Sequence, residues 1–360
     1  MTILRYLIIM LIFVKVYVRL NSNRGRRKRL TMVSIKDVAR HAGVAVSTVS
    51  KVINNYPNVS DRTKKKVNAS IDELGFVPNA IASALSSKQS NRIALIMDPN
   101  TQTNAIDEIQ MQYISGALAR AMEKKVDVVT IFFSMISDKD PVEIERYLQS
   151  IGIKAIIIYG LSKDDETLNA LIERQAFKMV IVDAPFVNEN TSSIWIDQEE
   201  AQYEVAKRTL LENGGGRILY ISGRRNAYVT VGRLKGVRRL AEERDLTLQI
   251  KDGEFSELEA RKIVFDCAEN SDIIVCASDL MAIGAMKALE HLGISRPVCG
   301  FDGIALMAYV GLQMNTVRQD FYRISQMAMD EAIRLMVGKS GRNIVLDYSI
   351  INIKYEELII

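Results

Sequence analysis

Between Ser34 and Asn54 the chain reads SIKDVARHAGVAVSTVSKVIN, and its polar residues are mostly small or cationic, among them Ser34, Ser47, Thr48, Ser50, Lys51 and Asn54. Hydroxyls, an amide and an ammonium at this density can hydrogen-bond to base edges and neutralise phosphate. Periodicity says what positions them. Ile35, Val38, Ala39 and Ala42 fall at i, i+3, i+4 and i+7, so one stripe of a short helix is apolar while Lys36, Asp37, Arg40 and His41 face out. Gly43 breaks that helix. A second periodic run then puts Val49, Val52 and Ile53 on one side and Ser47, Ser50 and Lys51 on the other. Two short helices across a tight glycine turn predict a helix-turn-helix, the motif whose second helix enters the DNA major groove. The competing reading is an ordinary all-α core, since amphipathic helix pairs are common. The next residues favour DNA. Ser60 can cap a third helix with a Val67, Ile71 and Leu74 stripe, Gly75 can end it, and Pro78 prevents its continuation. Arg62, Lys64, Lys65 and Lys66 give its first turns a cationic cluster.

A second set of reactive side chains lies downstream, where the pattern changes. From Arg92 on, short apolar runs alternate with helical stretches: IALIM (93–97), VVTIFF (128–133), AIIIY (155–159), MVIVD (179–183), ILYIS (218–222), IIVCA (273–277) and PVCGF (297–301). Helices are predicted over Gln112–Lys124, Gln198–Asn213, Gly232–Arg244 and Leu280–Leu292. Such alternation means an α/β fold of parallel sheets covered by helices, with ligands at the carboxyl ends of the strands. Asp183 ends one strand, Arg233 opens a helix, Phe255 lies in DGEFSE, Ser278 and Asp279 follow another strand, and Asp302 follows GF. Carboxylates and a guanidinium can bond vicinal hydroxyls, and an aromatic face can pack on the apolar side of a sugar ring. The bland alternatives are loop caps for Asp183 and Asp302, a helix N-cap before Leu280 for Asp279, and core packing for Phe255. If Arg233 holds ligand, Arg233→Ala is expected to abolish the ligand response with the fold nearly intact.

The ordered motifs IKDVARHAGV, STVSKVIN, NVSDRTKKKV, ELGFVPNAIASAL, ASDLMAIGAMKAL, GFDGI and NTVRQD, spanning about residues 33 to 355, resemble the LacI/GalR family of lactose and galactose repressors. The resemblance implies a small all-α helix-turn-helix DNA-binding domain plus an α/β two-lobed, periplasmic-binding-protein-like (Rossmann-like) effector domain. It places the DNA-binding domain at 32–77, a hinge helix or linker at 78–90 and the effector and dimerisation domain at 91–360. Its lobes would be about 91–194 with 319–344, and 195–318 with 345–360, the chain crossing near Ser193 to Asp197, Thr316 to Asp320 and Val345. It carries DNA contacts onto Ser34, Ala45, Val46, Ser47, Thr48, Ser50, Lys51, Asn54, Asn79, Ala82 and Leu85, with Val46 and Ser47 choosing bases and Leu85 acting as a minor-groove wedge. It carries effector contacts onto Asp183, Arg233, Phe255, Ser278 and Asp302. The expected partners are double-stranded operator DNA, a small-molecule effector (a sugar or sugar derivative) and a second copy in a homodimer, with a tetramer also open. No cofactor or metal is expected. The chain departs from the family pattern at DPNTQTNAID, where an Asn-Pro-aromatic-aromatic segment is usual, and at GISRPVCGFDG, which is several residues shorter than the usual passage and leaves the register near Cys299 open.

Length and charge fit that organisation. The 360 residues exceed one helix-turn-helix and suggest a small domain plus a larger one. The net charge of +4 is uneven: +8 falls in residues 1–31, +4 in 32–90 and −8 in the remainder. The basic part is therefore the part predicted to hold nucleic acid. Cys267, Cys276 and Cys299 have no CxxC spacing and read as buried residues of a reduced, cytosolic protein. Residues 3–20 nearly reach bilayer length, but Arg5, Lys15 and Arg19 interrupt them and no small-residue cleavage site follows Leu20. The reading adopted is that Met32 is the true start and 1–31 is upstream sequence; a signal anchor is the competitor. Catalysis finds little support. No GxSxG or HExxH occurs, GKS at Gly338–Ser340 has Ile333 where a phosphate loop needs glycine, and only His41 and His291 offer histidine chemistry. GGG at 214–216 follows a helix and precedes a strand, the reverse of a dinucleotide fingerprint. The chain is thus expected to be a transcriptional regulator and not an enzyme. The alternatives are a membrane-tethered or exported sugar sensor, or a regulator answering to a purine or a phosphoprotein.

Overall fold

The computed structural model describes residues 33–53, 58–76, 91–98, 108–309 and 313–352. Contacts divide the chain into two units, Met1–Lys88 and Gln89–Ile360. Asn54, Asn79, Ala82 and Leu85, expected to meet DNA, and residues 1–31, expected to be upstream sequence, lie outside the described residues.

The first unit holds three helices, α1 (Ile35–Ala42), α2 (Val46–Ile53) and α3 (Asp61–Leu74). Gly43 ends α1 at φ 57°, a left-handed conformation that glycine adopts without a Cβ penalty, and Val44 N–H reaches back to the Ala39 carbonyl at 3.0 Å. Ser60 caps α3 by accepting from Thr63 N–H at 3.3 Å, and Gly75 closes it at φ 60°. The core is the predicted stripe: Val38, Ala39, Ala42, Val49, Val52 and Val67 are buried, with Ile71 and Leu74 packed against them. That packing fixes the outer face of α2. Ala45, Val46, Ser47 and Lys51 are exposed, and Thr48 and Ser50 half-buried.

The second unit contains two six-stranded sheets. In the first, strands β1 (Arg92–Met97), β2 (Asp127–Phe132), β3 (Ile153–Ile158), β4 (Lys178–Val182), β5 (Thr191–Ile196) and β11 (Asn343–Leu346) lie in the order β11-β5-β4-β3-β1-β2. In the second, β6 (Arg217–Ser222), β7 (Thr247–Asp252), β8 (Ile273–Cys276), β9 (Val298–Asp302), β10 (Asn315–Arg318) and β12 (Ser349–Asn352) lie in the order β12-β10-β9-β8-β6-β7. Every pairing is parallel except β10 with β12. Discounting the last strand of each, both sheets have the doubly wound order 2-1-3-4-5, which leaves a ligand crevice at the carboxyl ends beside the switch point.

Helices cover both faces. Those used below are α4 (Glu108–Lys124) and α12 (Phe321–Met336) on the first sheet, and α7 (Gln198–Asn213), α8 (Tyr228–Glu243) and α10 (Asp279–Leu292) on the second; α5 (Pro141–Ser150), α6 (Glu166–Glu173), α9 (Glu257–Cys267) and the short α11 (Leu306–Tyr309) complete the set. Gly116 lets α4 approach α12 so closely that a Cβ there would meet the Tyr322 carbonyl oxygen at 2.2 Å.

The chain crosses between lobes at Asp197, at Gln319–Asp320 and at Asp347–Tyr348. The third crossing follows two residues beyond the expected Val345, which pairs with Trp195 inside β11, so residues 343–346 belong to the first sheet. The shortened passage before Cys299 keeps register, Cys299 pairing with Val275 across β8 and β9. All three cysteines are buried and unpaired. Among the described residues no helix is long and apolar enough to cross a membrane.

Candidate functional site

The carboxyl ends of the two sheets enclose a cleft of about 740 Å³. It draws on both lobes, with Tyr113 from α4, Tyr159 after β3, Asp183 after β4, Arg233 from α8, Phe255 after β7, Ser278 after β8, Asp302 ending β9 and Gln319 after β10. Asp183, Arg233, Phe255, Ser278 and Asp302, which lie far apart in sequence, therefore share one wall system.

Arg233 organises the centre. Only 4 % of it is exposed. Its Nε donates to Gln198 Oε1 at 2.8 Å, Nη1 donates to the Ala277 carbonyl and lies 3.6 Å from Asp302 Oδ1, and the guanidinium stacks 3.6 Å above the Phe301 ring. A guanidinium buried with so many partners is rigid, and its charge is already matched.

The two carboxylates sit on unusual backbone, Asp183 at φ 63° and Asp302 at φ 120°. Non-glycine residues in this region mark local strain that the surrounding fold must hold. Burial pushes Asp183 up to about 6, against the pull of Arg233 and of hydrogen bonds from Gln198 and Tyr113. Burial likewise pushes Asp302 up to about 7, with Arg233 opposing and the Asp183 charge reinforcing. Gln198 Nε2 donates to Asp183 at 3.3 Å and Gln319 Nε2 to Asp302 at 3.4 Å. Gln319 is 4 % exposed, and its Oε1 has no hydrogen-bond partner among the described residues.

One expectation needs correction. Asp279 does not cap α10. Ser278 does, accepting from Met281 N–H at 3.3 Å, so the hydroxyl placed in the effector set is also a structural cap. Asp279 is wholly buried and accepts from Gly303 N–H at 2.8 Å, Ile304 N–H at 2.9 Å and Thr316 Oγ1 at 2.6 Å. Two cap-competent residues stand side by side, and spacing alone does not choose between them. Phe255 is more than core packing. It lines the cleft at φ 56°, and its ring covers Gly223, where a Cβ would fall 2.0 Å from Cζ.

The sequence reading passed over Tyr113, Gln198 and Gln319. Tyr113 is buried, tilted against Tyr159 at 4.4 Å between ring centroids and edge-on to Phe321 at 5.3 Å. Gln319 stands inside the quoted NTVRQD run, the one signal that pointed to it.

On the DNA-binding unit, Ser34 is partly committed to its own helix: its N–H and hydroxyl both donate to Asp37 Oδ2, at 3.0 and 2.6 Å. Arg62, Lys65 and Lys66 are exposed on α3 and Lys64 half-exposed. His41 Nε2 lies 3.4 Å from Glu73.

A pair of doubly wound lobes joined by three crossings around a cleft with polar and aromatic walls defines a small-molecule binder, and the three-helix unit ahead of it in the chain a DNA reader. Family comparisons give the same two parts. Residues 34–79 match bacterial regulatory proteins of the lacI family, and residues 111–347 match the periplasmic binding proteins and sugar binding domain of the LacI family. The ribose operon repressor of Halalkalibacterium halodurans is 31% identical over 305 residues, covering 81% of this chain and 86% of its own. The transcriptional repressor PurR of Vibrio atlanticus is 28% identical, covering 88% and 96%. Among solved structures, the Lac repressor dimer bound to operator and the anti-inducer ONPF superposes with a TM-score of 0.73 at 23% identity, covering 90% of this chain and 99% of that one. The CelR–cellobiose complex gives 0.65 at 22% identity, covering 89% and 98%. This chain belongs to the lacI family. It is a DNA-binding transcriptional regulator with a small-molecule effector domain.

Proposed function

We propose that the protein is a homodimeric repressor working in the cytoplasm, whose cleft takes an uncharged hydroxylated effector, a sugar or sugar derivative. The observation that carries this is the polarity of the cleft centre. Asp183, Asp302 and Gln319 Oε1 offer acceptors, while Arg233, the one buried cation among the described residues, is already paired. Hydroxyls can donate to such acceptors, whereas a phosphate has only acceptors to offer and would meet carboxylates. Tyr113, Phe255 and Phe321 supply apolar faces for a ring. The names of the ribose operon repressor and the CelR–cellobiose complex lend support in the same direction. Thermal-shift screening of pentoses, hexoses, disaccharides, sugar phosphates and purines, followed by calorimetry, tests the reading. An unphosphorylated sugar is expected to raise the melting temperature, and a response confined to purines or phosphates would displace it.

For DNA, Ala45, Val46, Ser47, Thr48, Ser50 and Lys51 on the outer face of α2 are proposed to meet the major groove, and Ser34 a phosphate. Asn54, Asn79, Ala82 and Leu85 remain proposals carried by the family likeness, with Leu85 as the minor-groove wedge. Homodimerisation is supported by an apolar stripe on α4, where Met111, Leu118 and Met122 are exposed at i, i+7 and i+11 beside Tyr322. Sedimentation equilibrium should give twice the chain mass.

A further inference from the structure

The loop after Asp302 carries four successive backbone N–H groups, and each is held by a carboxylate. Asp279 Oδ2 accepts from Gly303 at 2.8 Å and Ile304 at 2.9 Å. Glu108 accepts from Ala305 at 2.9 Å through Oε1 and from Leu306 at 3.2 Å through Oε2. The two carboxyl groups come from different lobes, Asp279 from the start of α10 in the second and Glu108 from the start of α4 in the first. Gln112, one turn along α4, donates to Glu108 Oε1 at 3.0 Å and steadies the carboxylate.

We infer that Glu108 is a positioning residue of the effector cleft: it clasps amides 305 and 306 across the lobe boundary and so sets both lobe closure and the placement of Asp302. Charge-assisted bonds to two adjacent amides fix a carboxylate in plane and distance more tightly than a single contact does. Asp302 is three residues ahead of the first clasped amide, and its backbone is strained at φ 120°, so a shift of the loop reaches it directly. The inference deepens the effector-cleft reading and rests on it only for what the cleft holds; the clasp itself stands on contacts within the chain.

A second meeting point of the lobes separates a clasp from a local brace. Lys163 N–H donates to the Asn226 carbonyl at 2.9 Å, and Ser162 bridges Ala227. Among the described residues, these share no hydrogen-bond partner with Glu108. If the lobes move as bodies about their three crossings, freeing Glu108 shifts the open–closed equilibrium and releases the Lys163 amide as well.

Hydrogen exchange read by mass spectrometry on the full chain tests this without any ligand. In Glu108→Ala, the amides of 305–306 and of Lys163 should exchange at least about tenfold faster, while β1 and β6 keep their protection. Faster exchange at 305–306 alone would reduce Glu108 to a local loop brace and overturn the inference, as would no change at either place. If Glu108→Ala loses strand protection, Glu108→Gln, which keeps the shape and one acceptor oxygen but not the charge, is judged by the same criterion. The sugar reading stands or falls on the ligand screen, so the two failures are told apart.

Discussion

Arg233 shows how burial changes what a residue can be asked to do. From its chemistry alone, Arg233→Ala is expected to leave the fold nearly intact, but its contacts with Gln198, Ala277, Asp302 and Phe301 argue otherwise. Removing one partner of a buried pair leaves an uncompensated charge and costs about 3–5 kcal/mol, reduced where the orphaned carboxylate can take up a proton. Urea titration should therefore place Arg233→Ala below the parent by roughly that amount at pH 7.5 and by less at pH 5.5. The same carboxylates set a pH dependence. Asp183 near 6 and Asp302 near 7 bind protons in the folded state that the unfolded chain has already released. Their contribution to stability is thus full below the unfolded carboxylate value of about 4 and is lost as pH rises through 6 and 7. Asp302→Asn, which cannot titrate, should show a flatter decline of melting temperature between pH 5 and 7.5 than the parent. Parallel curves from differential scanning fluorimetry would remove Asp302 as the titrating group.

At the scale of elements, what the sequence made legible follows from where each strand sits. IALIM, AIIIY, MVIVD, ILYIS and IIVCA stand out because strands buried on both faces must be continuously apolar. β5 was hidden because its residues Thr191, Ser192 and Ser193 are polar yet fully buried. Two of these hydroxyls are satisfied at long range, Ser192 donating to Glu331 at 2.7 Å and Ser193 to the Ala184 carbonyl at 2.6 Å. β7 alternates exposed and half-buried residues at a sheet edge, and β10, β11 and β12 are four residues each, too short for a period to declare itself. Within the cleft, strand-end carboxylates were readable, whereas Gln319 falls on a crossing with no periodicity, marked only by the NTVRQD run that contains it. The close approach of α4 and α12 is likewise invisible in sequence, because Gly116 has no periodic signature. Gly116→Ala must push the helices apart at the Tyr322 carbonyl, and overpacking of this kind typically costs about 1–3 kcal/mol. The denaturation midpoint in urea should fall accordingly.

For the molecule as a whole, the decisive quantity is how charge is divided along the chain. Residues 32–90 are net +4 and residues 91–360 net −8, so among the described residues attraction to phosphate comes from the three-helix unit against repulsion from the effector domain. Arg62, Lys65 and Lys66 on α3 and Lys51 on α2 are exposed and are the cations proposed to supply that attraction. In the proposed dimer each cation acts twice, which puts the number of neutralised phosphates at roughly six to ten, a range for which affinity falls by about 10³–10⁵ between 50 and 200 mM salt. Fluorescence anisotropy with a labelled duplex should give a correspondingly steep slope of log affinity against log salt. Replacing Lys65 and Lys66 with alanine should flatten the slope by about four in the dimer if each lysine releases one counterion, since the slope counts the ions displaced and not the bases read. Because these lysines are exposed and make no part of the α1–α3 core, the melting temperature should stay within a degree or two of the parent. Salt-independent binding, or a slope the double variant leaves unchanged, would place the DNA contacts elsewhere on the chain.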